Sequence, residues 1–239
     1  MNRTLSAAAI AAALLYATPA AAQMKGDAGA IELANQMIEN IGGKELWSKI
    51  RTLYVVEKSR TPNGDGIMGT FWRDLESPRE WYRLETRRGD TIRFWWDERG
   101  VYQTINGEVT TGNLPDDIFE LVTGYWPGEI YVLYHQIAAE NPAYRYEKGE
   151  ENGQFMVVED ATDKLLATFW VNADGDMYRW KHFDLTDPVE YIYGPHKQFG
   201  DISFPMWGTQ VNGSWMFEYI EVRWTEEEPP VSYDPPEIE

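Results

Sequence analysis

The sequence predicts a single α+β domain in which one large antiparallel sheet carries most of the chain. About a dozen segments alternate apolar and polar residues with a period of two, and turns such as Asn-Gly and Asp-Gly separate them. Helical periodicity is confined to a segment near the N-terminus and an insertion in the middle. The chain contains 11 Trp, 14 Tyr and 9 Phe, residues that favour strands. A sheet of this size has to curl.

The first 22 residues are expected to be a secretory signal peptide. Arg3 gives the positive start, residues 7–16 (AAAIAAALLY) form the apolar core, and Ala20-Ala21-Ala22 provides a small-residue cleavage site. The apolar run is shorter than the ~20 residues of a membrane-spanning helix, which disfavours an anchor. We therefore expect export to a bacterial periplasm, with cleavage after Ala22.

Composition narrows the classes of partner. The chain has 39 acidic and 21 basic residues and a net charge of −18, so its surface repels nucleic acid, and no nucleic-acid partner is expected. It contains no cysteine, which rules out disulfides and thiol catalysis. The missing cysteine also excludes the acyl attachment by which bacterial lipoproteins are anchored after their signal.

The first helix is expected over residues 28–41, followed by a short helix over residues 44–50. The apolar side chains of the first helix fall on one stripe, made of Ile31, Ala34, Ile38 and Ile41. Gly42-Gly43 ends the helix because glycine adopts the left-handed cap at low cost. This apolar stripe has to be buried, and we expect it to pack against the concave side of the sheet.

Strands are predicted on both sides of a helical insertion. The first group covers residues 53–59, 67–75, 81–88, 91–97 and 101–105. Pro115 and Pro127 each begin a predicted helix, and Asn141-Pro142 ends the second. The second group covers residues 143–148, 154–160, 165–171, 176–183, 189–193, 206–211 and 214–224. The domain is thus expected over residues 23–224, and residues 225–239 form an acidic, proline-rich and extended tail.

The last predicted strand is apolar on both faces. Simple alternation places Trp215, Phe217 and Tyr219 on one face, and Met216, Ile220, Val222 and Trp224 on the other. One face would be buried against the helices. The other would line a cleft or cover a barrel edge.

Short motifs are better explained by structure than by chemistry. Residues 64–69 match G-x-G-x-x-G, but strand-like residues follow where the dinucleotide motif requires a helix. Residues 172–176 resemble the start of a calcium loop that lacks its closing glutamate. His182, Asp184 and His196 could hold a metal, but the spacing of known zinc motifs is missing. No metal and no cofactor are predicted.

No catalytic signature is present, and the protein is not expected to be an enzyme. The chain has neither a G-x-S-x-G elbow nor a P-loop. Paired carboxylates could hydrolyse glycosides, although acidic residues more often form solvated faces. An arginine cluster could either hold an anionic headgroup or pair with neighbouring acids, the simpler interpretation; it comprises Arg73, Arg83, Arg87, Arg88 and Arg93.

Four segments resemble the LolA/LolB-like superfamily, especially outer-membrane lipoprotein-sorting proteins. Near the start is a helix that ends in a double glycine, in IENIGGKELWSKIRTLYV (38–55). Two hairpins follow, in WWDERGVYQTINGE (95–108) and ATFWVNADGDMYRW (167–180). The last is a Gly-to-Pro strand before a final hairpin and a proline-rich tail, in GPHKQFGDISFPMWGTQVNGSWMFEYIEVRWTEEEPPVSYDPP (194–236). The resemblance spans roughly residues 28–236.

The resemblance implies an unclosed, strongly curved antiparallel β-barrel of about eleven strands, with helices covering the concave side. It also implies a periplasmic protein that binds or carries a lipid or lipoprotein, holding acyl chains between sheet and helices. The partners would then be a lipid or acylated protein and an envelope membrane complex. Trp224-Thr225 departs from the family's usual final Asn, and the charge is more acidic, so only the fold and the general lipid-binding role are carried over.

Strand parity suggests which side chains would line such a lipid cavity: Trp72, Tyr82, Phe94, Trp96, Phe169, Trp180 and Phe217. Two alternatives remain open. A filled interior would favour an envelope protein-interaction module without a ligand. Two carboxylates in a Trp-lined cleft would favour a carbohydrate-binding or hydrolytic protein.

Overall fold

The computed structural model describes residues 24–60, 66–111, 123–183 and 188–234. The expected signal peptide and the helix expected at Pro115 lie outside these residues. The helices are α1 (Ala28–Asn40), α2 (Lys44–Trp47) and α3 (Ile130–Ala138), with a 3-10 turn at Trp126–Gly128. None of the helices within the described ranges combines the length and apolar character that crossing a membrane requires.

The described strands are numbered in chain order. In the first half they are β1 (Lys25–Gly26), β2 (Thr52–Arg60), β3 (Gly66–Asp74), β4 (Glu80–Thr86), β5 (Thr91–Asp97), β6 (Gly100–Ile105) and β7 (Glu108–Thr111). In the second half they are β8 (Tyr144–Lys148), β9 (Gln154–Glu159), β10 (Lys164–Val171), β11 (Met177–His182), β12 (Val189–Tyr193), β13 (His196–Phe199), β14 (Ile202–Pro205), β15 (Trp207–Gln210) and β16 (Met216–Thr225).

Fourteen of these strands form one unclosed sheet. Their order is β1-β8-β9-β10-β11-β12-β15-β16-β2-β3-β4-β5-β6-β7, and β13 and β14 pair separately. All neighbours are antiparallel except β1 and β8. The resemblance implied a large, curved, unclosed antiparallel sheet with few helices, and the structure confirms it. The described residues contain more strands than the implied number of about eleven; alternation did not predict β1, β7, β13 and β14, each of which has four residues or fewer.

The helices lie on the concave face, over the half of the sheet that contains β8 and β9. Asp27 caps α1 by accepting hydrogen bonds from the backbone N–H groups of Gly29 (2.9 Å) and Ala30 (3.0 Å). The buried stripe of α1 is Ala30, Ala34, Met37 and Ile38. Helix α3 is buried almost all round, because α1 and α2 pack beside it and the sheet lies beneath. Of the stripe that was expected to be buried, Ala34, Ile38 and Ile41 are buried, whereas Ile31 is half-buried.

Strand β16 contains a β-bulge that changes which side chains face inward. Its pairing with β2 shifts register between Tyr219 and Glu221, so Ile220 has no partner and is 51% exposed. Val222 consequently joins Phe217 and Tyr219 on the buried face. Simple alternation placed Val222 on the opposite face, and that prediction was wrong because an extra residue inverts the parity.

The C-terminal tail returns across the outer face of the sheet as far as Asp234. Glu228 pairs with Arg51 (2.8 Å) and with Arg79 (3.3 Å). The ring of Tyr233 is buried in a small outer cluster that also contains Trp95. The segment after β16 is therefore attached to the domain by both ion pairs and apolar contacts.

Removal of the Phe169 ring is expected to lower the free energy of unfolding by roughly 3–5 kcal/mol, the usual cost of a large-to-small change in a packed core. Phe169 is fully buried, and its ring centroid lies 5.1 Å from that of Phe155. Urea unfolding of Phe169→Ala, followed by tryptophan fluorescence, measures the loss. Met216→Ala is the control, because Met216 is exposed and its loss should change stability by no more than ~0.5 kcal/mol. Equal effects of the two changes would contradict the packing described here.

Candidate functional site

A cavity of about 550 Å³ lies between the two halves of the curved sheet and the start of α3. This volume falls within the ~300–1,000 Å³ typical of small-molecule sites. Strands β5 and β11 both border it, although they are seven steps apart in the strand order. Adjacent strands are ~4.8 Å apart, so a flat sheet would separate these two by ~34 Å. The cavity therefore exists because the sheet curves.

Most of the cavity wall is aromatic. Tyr82 and Trp96, on neighbouring strands, stack with ring centroids 5.4 Å apart. On the opposite wall, Tyr191 stacks on Trp180 at 5.7 Å and contacts Phe217 at 5.9 Å. The remaining aromatic and aliphatic lining residues are Phe71, Leu84, Ile92, Phe94, Tyr125, Ile130, Tyr131, Tyr193, Trp215 and Tyr219. Several of these side chains are only half-buried, so the cavity communicates with solvent.

The structure brings together most of the side chains that parity suggested. Residues Tyr82, Phe94, Trp96, Trp180 and Phe217 all line the cavity. Trp72 does not line the cavity. Its neighbours Phe71 and Arg73 face the cavity, so strand alternation turns Trp72 to the outer face. There the ring centroid of Trp72 lies 4.5 Å from that of Tyr54. Phe169 lies on the inner face, but helix α3 covers it through Tyr134.

An ion pair lies inside this wall. The Nε atom of Arg73 donates to Glu80 at 2.7 Å, and the hydroxyl of Tyr82 donates to the same carboxylate. The guanidinium carbon of Arg73 lies 4.7 Å from the ring centroid of Tyr131. Burial opposes the positive charge of Arg73, but Glu80, Tyr82 and Glu129 outweigh it, so the pKa is raised well above the usual value.

Two further carboxylates line the cavity. Glu129 caps α3 by accepting from the backbone N–H groups of Tyr131 (2.8 Å) and Val132 (3.2 Å). Burial raises the pKa of Glu129 to about 7, although Arg73 acts to lower it. Burial likewise raises the pKa of Glu57, against a hydrogen bond from Ser59 Oγ at 2.7 Å.

Sequence reasoning did not place the three carboxylates in the cavity, and it named Arg73 only as a member of the arginine cluster, although one signal was present. Glu57 shares strand parity with Leu53 and Val55, so a carboxylate follows two buried apolar residues in one row of β2. The burial of Arg73 was harder to predict, because Phe71 and Trp72 are both apolar and lie on opposite faces of β3, so either face could have been the inner one. Glu129 follows a Pro-Gly pair, and its position at the first turn of α3 fits a capping role.

Only part of the possible metal group can be compared with the structure, and no metal was predicted there. Within the described ranges, no group of three or more His, Asp or Glu side chains is arranged to hold a metal ion. His196 Nδ1 lies 3.4 Å from Asp176, whereas Asp184 lies outside the described residues. In the arginine cluster, Arg83 pairs with Glu85 at 2.7 Å, as the simpler interpretation predicted.

Comparisons with known proteins give similarities at low sequence identity. No family model and no curated protein matches the chain. A LolA superfamily protein from Nitrosomonas europaea is similar at 8% identity and a TM-score of 0.47, over 84% of this chain and 94% of that one. A DUF1329 family protein from Desulfovibrio piger is similar at 11% identity and a TM-score of 0.43, over 82% and 92%.

A third similar structure is a protein domain of the outer membrane lipoprotein-sorting type from Vibrio parahaemolyticus. The identity is 11% and the TM-score 0.40, over 82% of this chain and 92% of that one. The function proposed for this protein rests on its cavity and not on these similarities.

Glu129 is expected to make the protein less stable as pH rises from about 4.5 to about 7. The unfolded chain releases this proton near the ordinary value of 4.5, whereas the folded protein keeps it until about 7. The free energy of unfolding therefore falls across that window and stays low above it. Glu129→Gln should remove up to roughly 3 kcal/mol of this dependence, since each pKa unit corresponds to ~1.4 kcal/mol.

Urea unfolding at a series of pH values measures this effect. Glu85→Gln is the control, because Glu85 is exposed and lies outside the cavity. Parallel stability curves for the wild type and Glu129→Gln would show that Glu129 does not retain its proton in the folded protein.

Proposed function

We propose that this protein is a periplasmic carrier that holds the acyl chain of a lipid or of an acylated protein in the cavity. One observation carries the proposal: a cavity of about 550 Å³ with a predominantly aromatic and aliphatic wall. Each buried methylene gains ~0.8 kcal/mol, so a chain that fills part of this volume binds with useful affinity. Half-buried lining residues such as Leu84, Ile92 and Phe94 give the chain a route from solvent.

The contacts proposed for the acyl chain come from both halves of the sheet. Tyr82, Phe94 and Trp96 provide one wall, and Trp180 and Phe217 provide the other. Aromatic rings suit a chain of variable length, because they offer large apolar faces without a fixed register. The role is one of binding and transfer, without a chemical step.

The proposed periplasmic location rests on the N-terminal segment, which has the form of a signal peptide cleaved after Ala22. An envelope membrane complex is the proposed partner for loading or unloading, because an acyl chain leaves a bilayer only at a cost that a carrier must offset.

The structure bears differently on the two alternatives to the carrier. The interaction module without a ligand called for a filled interior, and the interior contains a cavity.

A hydrolytic or carbohydrate-binding protein is the second candidate, and one observation favours it. Glu57, Glu80 and Glu129 share a cavity with three tryptophans, and the raised pKa of Glu129 suits a general acid near neutral pH. Each carboxylate nevertheless accepts a structural hydrogen bond, from Ser59, Arg73 or the start of α3. Turnover of nitrophenyl glycosides that disappears in Glu129→Gln would support this candidate over the carrier.

Native mass spectrometry of protein purified from a periplasmic extract tests the carrier directly. The wild type should retain an acyl compound. Leu84→Trp should lose it, because Leu84 lines the cavity and the larger ring occupies the volume. Ile220→Trp is the matched control, since Ile220 is exposed at the bulge of β16 and its substitution leaves the cavity unchanged.

Thermal unfolding of both variants checks that they remain folded. Ile92→Trp provides a second test of filling, because Ile92 pairs with Leu84 across β4 and β5 and also lines the cavity. Wild-type protein that never retains an acyl compound, or folded cavity-filling variants that retain it as well as Ile220→Trp does, would overturn the proposal.

A further inference from the structure

We propose that the cavity selects an amphiphile with a cationic ammonium group, so that the carried ligand is an amine-bearing lipid and not a fatty acid. This inference rests on the proposed function, because it assumes that the cavity holds the apolar chain. The chemistry of the ligand's polar end follows from three features of the cavity wall: its charges, its unpaired carboxylate oxygens and its aromatic faces.

The charge balance of the wall is negative. Glu57, Glu80 and Glu129 line it, and Arg73 is the one basic side chain among the described residues that do so. The Arg73 guanidinium is already bonded to Glu80 at 2.7 Å. A ligand carboxylate or phosphate would therefore add negative charge beside Glu57 and Glu129, whose one nearby cation, Arg73, is already bonded to Glu80, whereas a ligand cation would pair with one of these carboxylates once it is ionised.

Two buried carboxylates each have an oxygen without a partner. Glu57 is 8% exposed and accepts one hydrogen bond, from Ser59, at Oε1. Glu129 is 3% exposed and accepts both of its hydrogen bonds, from the start of α3, at Oε2. The other oxygen of each accepts nothing from any described residue. An ammonium group, which has up to three N–H donors, would satisfy such acceptors.

The aromatic wall also suits a cation. Arg73 already lies over three rings, with its guanidinium carbon 4.7 Å from the centroid of Tyr131, 5.2 Å from that of Phe71 and 5.9 Å from that of Tyr82. Further lining rings, Tyr191 and Tyr193 among them, have no Lys or Arg side chain of the described residues over their faces. Aromatic faces beside carboxylates form the kind of cage that recognises ammonium ligands.

The register of the sheet places an acidic side chain at the end of an aliphatic row. Glu57 pairs with Gly69, Gly69 with Leu84, and Leu84 with Ile92. Glu57, Leu84 and Ile92 all line the cavity, and Gly69 has no side chain between them. An apolar chain lying against Leu84 and Ile92 would therefore direct an ammonium group towards Glu57.

Binding of matched dodecyl probes tests the inference by tryptophan fluorescence, below their micelle concentrations and at about pH 8, where an amine of Lys-like pKa stays protonated. The probes are dodecylamine, dodecyltrimethylammonium, dodecanol and dodecanoate. Dodecylamine should bind about tenfold or more tightly than dodecanol, the effect of one hydrogen bond to a charged group, and dodecanoate should bind most weakly. Dodecyltrimethylammonium has no N–H donor but should still bind more tightly than dodecanol, through its charge and the aromatic faces. Choline, which lacks the chain, should not bind at millimolar concentration.

Glu57→Gln keeps the side-chain shape and the acceptor for Ser59 but removes the charge. Affinity for dodecylamine should fall by about tenfold while affinity for dodecanol stays within about twofold, because only the charged group loses an interaction. Glu85→Gln, an exposed change outside the cavity, should leave every affinity unchanged.

The outcomes separate the two proposals. If dodecanol and dodecanoate bind as tightly as the ammonium probes, the selectivity for amines is wrong and the carrier function stands. If no dodecyl probe binds, the carrier function fails as well. Saturation by choline alone would overturn the assignment of an amphiphile.

Discussion

The pairing of β16 with β2 is the contact on which the rest of the molecule depends. Strand β16 bonds to β15 on one side and to β2 on the other, and thereby joins the two halves of the sheet. Without it, the meander from β2 to β7 and the half that contains β8 to β12 would share no ladder. The wall of the cavity is drawn from both halves, so the site is a product of this one non-local pairing. The bulge at Ile220 adjusts that pairing so that Val222 still faces the core.

Local structure was largely predictable from the sequence, because turn chemistry and alternation act over a few residues. The twelve strands that alternation predicted lie within two residues of those in the structure, and α1 differs by one residue. The curvature was not encoded in any local pattern. Residues Val55 and Val222 are opposite each other in the sheet although they are far apart in sequence, and no window of the sequence contains both. Parity likewise fails wherever a bulge intervenes, as it does between Tyr219 and Val222.

The cavity combines two features that usually exclude each other, an apolar wall and several carboxylates. Charged groups in such a place are costly unless they are paired or hydrogen-bonded. The fold meets part of that cost with structural roles: Glu80 holds Arg73, and Glu129 caps α3. Parity in the sequence suggested five of the aromatic lining residues, but it also suggested Trp72 and Phe169, which do not line the cavity. It did not identify the carboxylates, because their burial follows from which strands meet across the cavity.

The position of β16 in the chain also has a consequence for biogenesis. Among the described residues, β16 is the last regular element along the chain, so the edges of β2 and β15 lack their neighbour until β16 has been synthesised. Unpaired edges of this kind template aggregation, and sheets closed by distant segments fold slowly. The two halves would therefore gain from being held by chaperones until β16 is available.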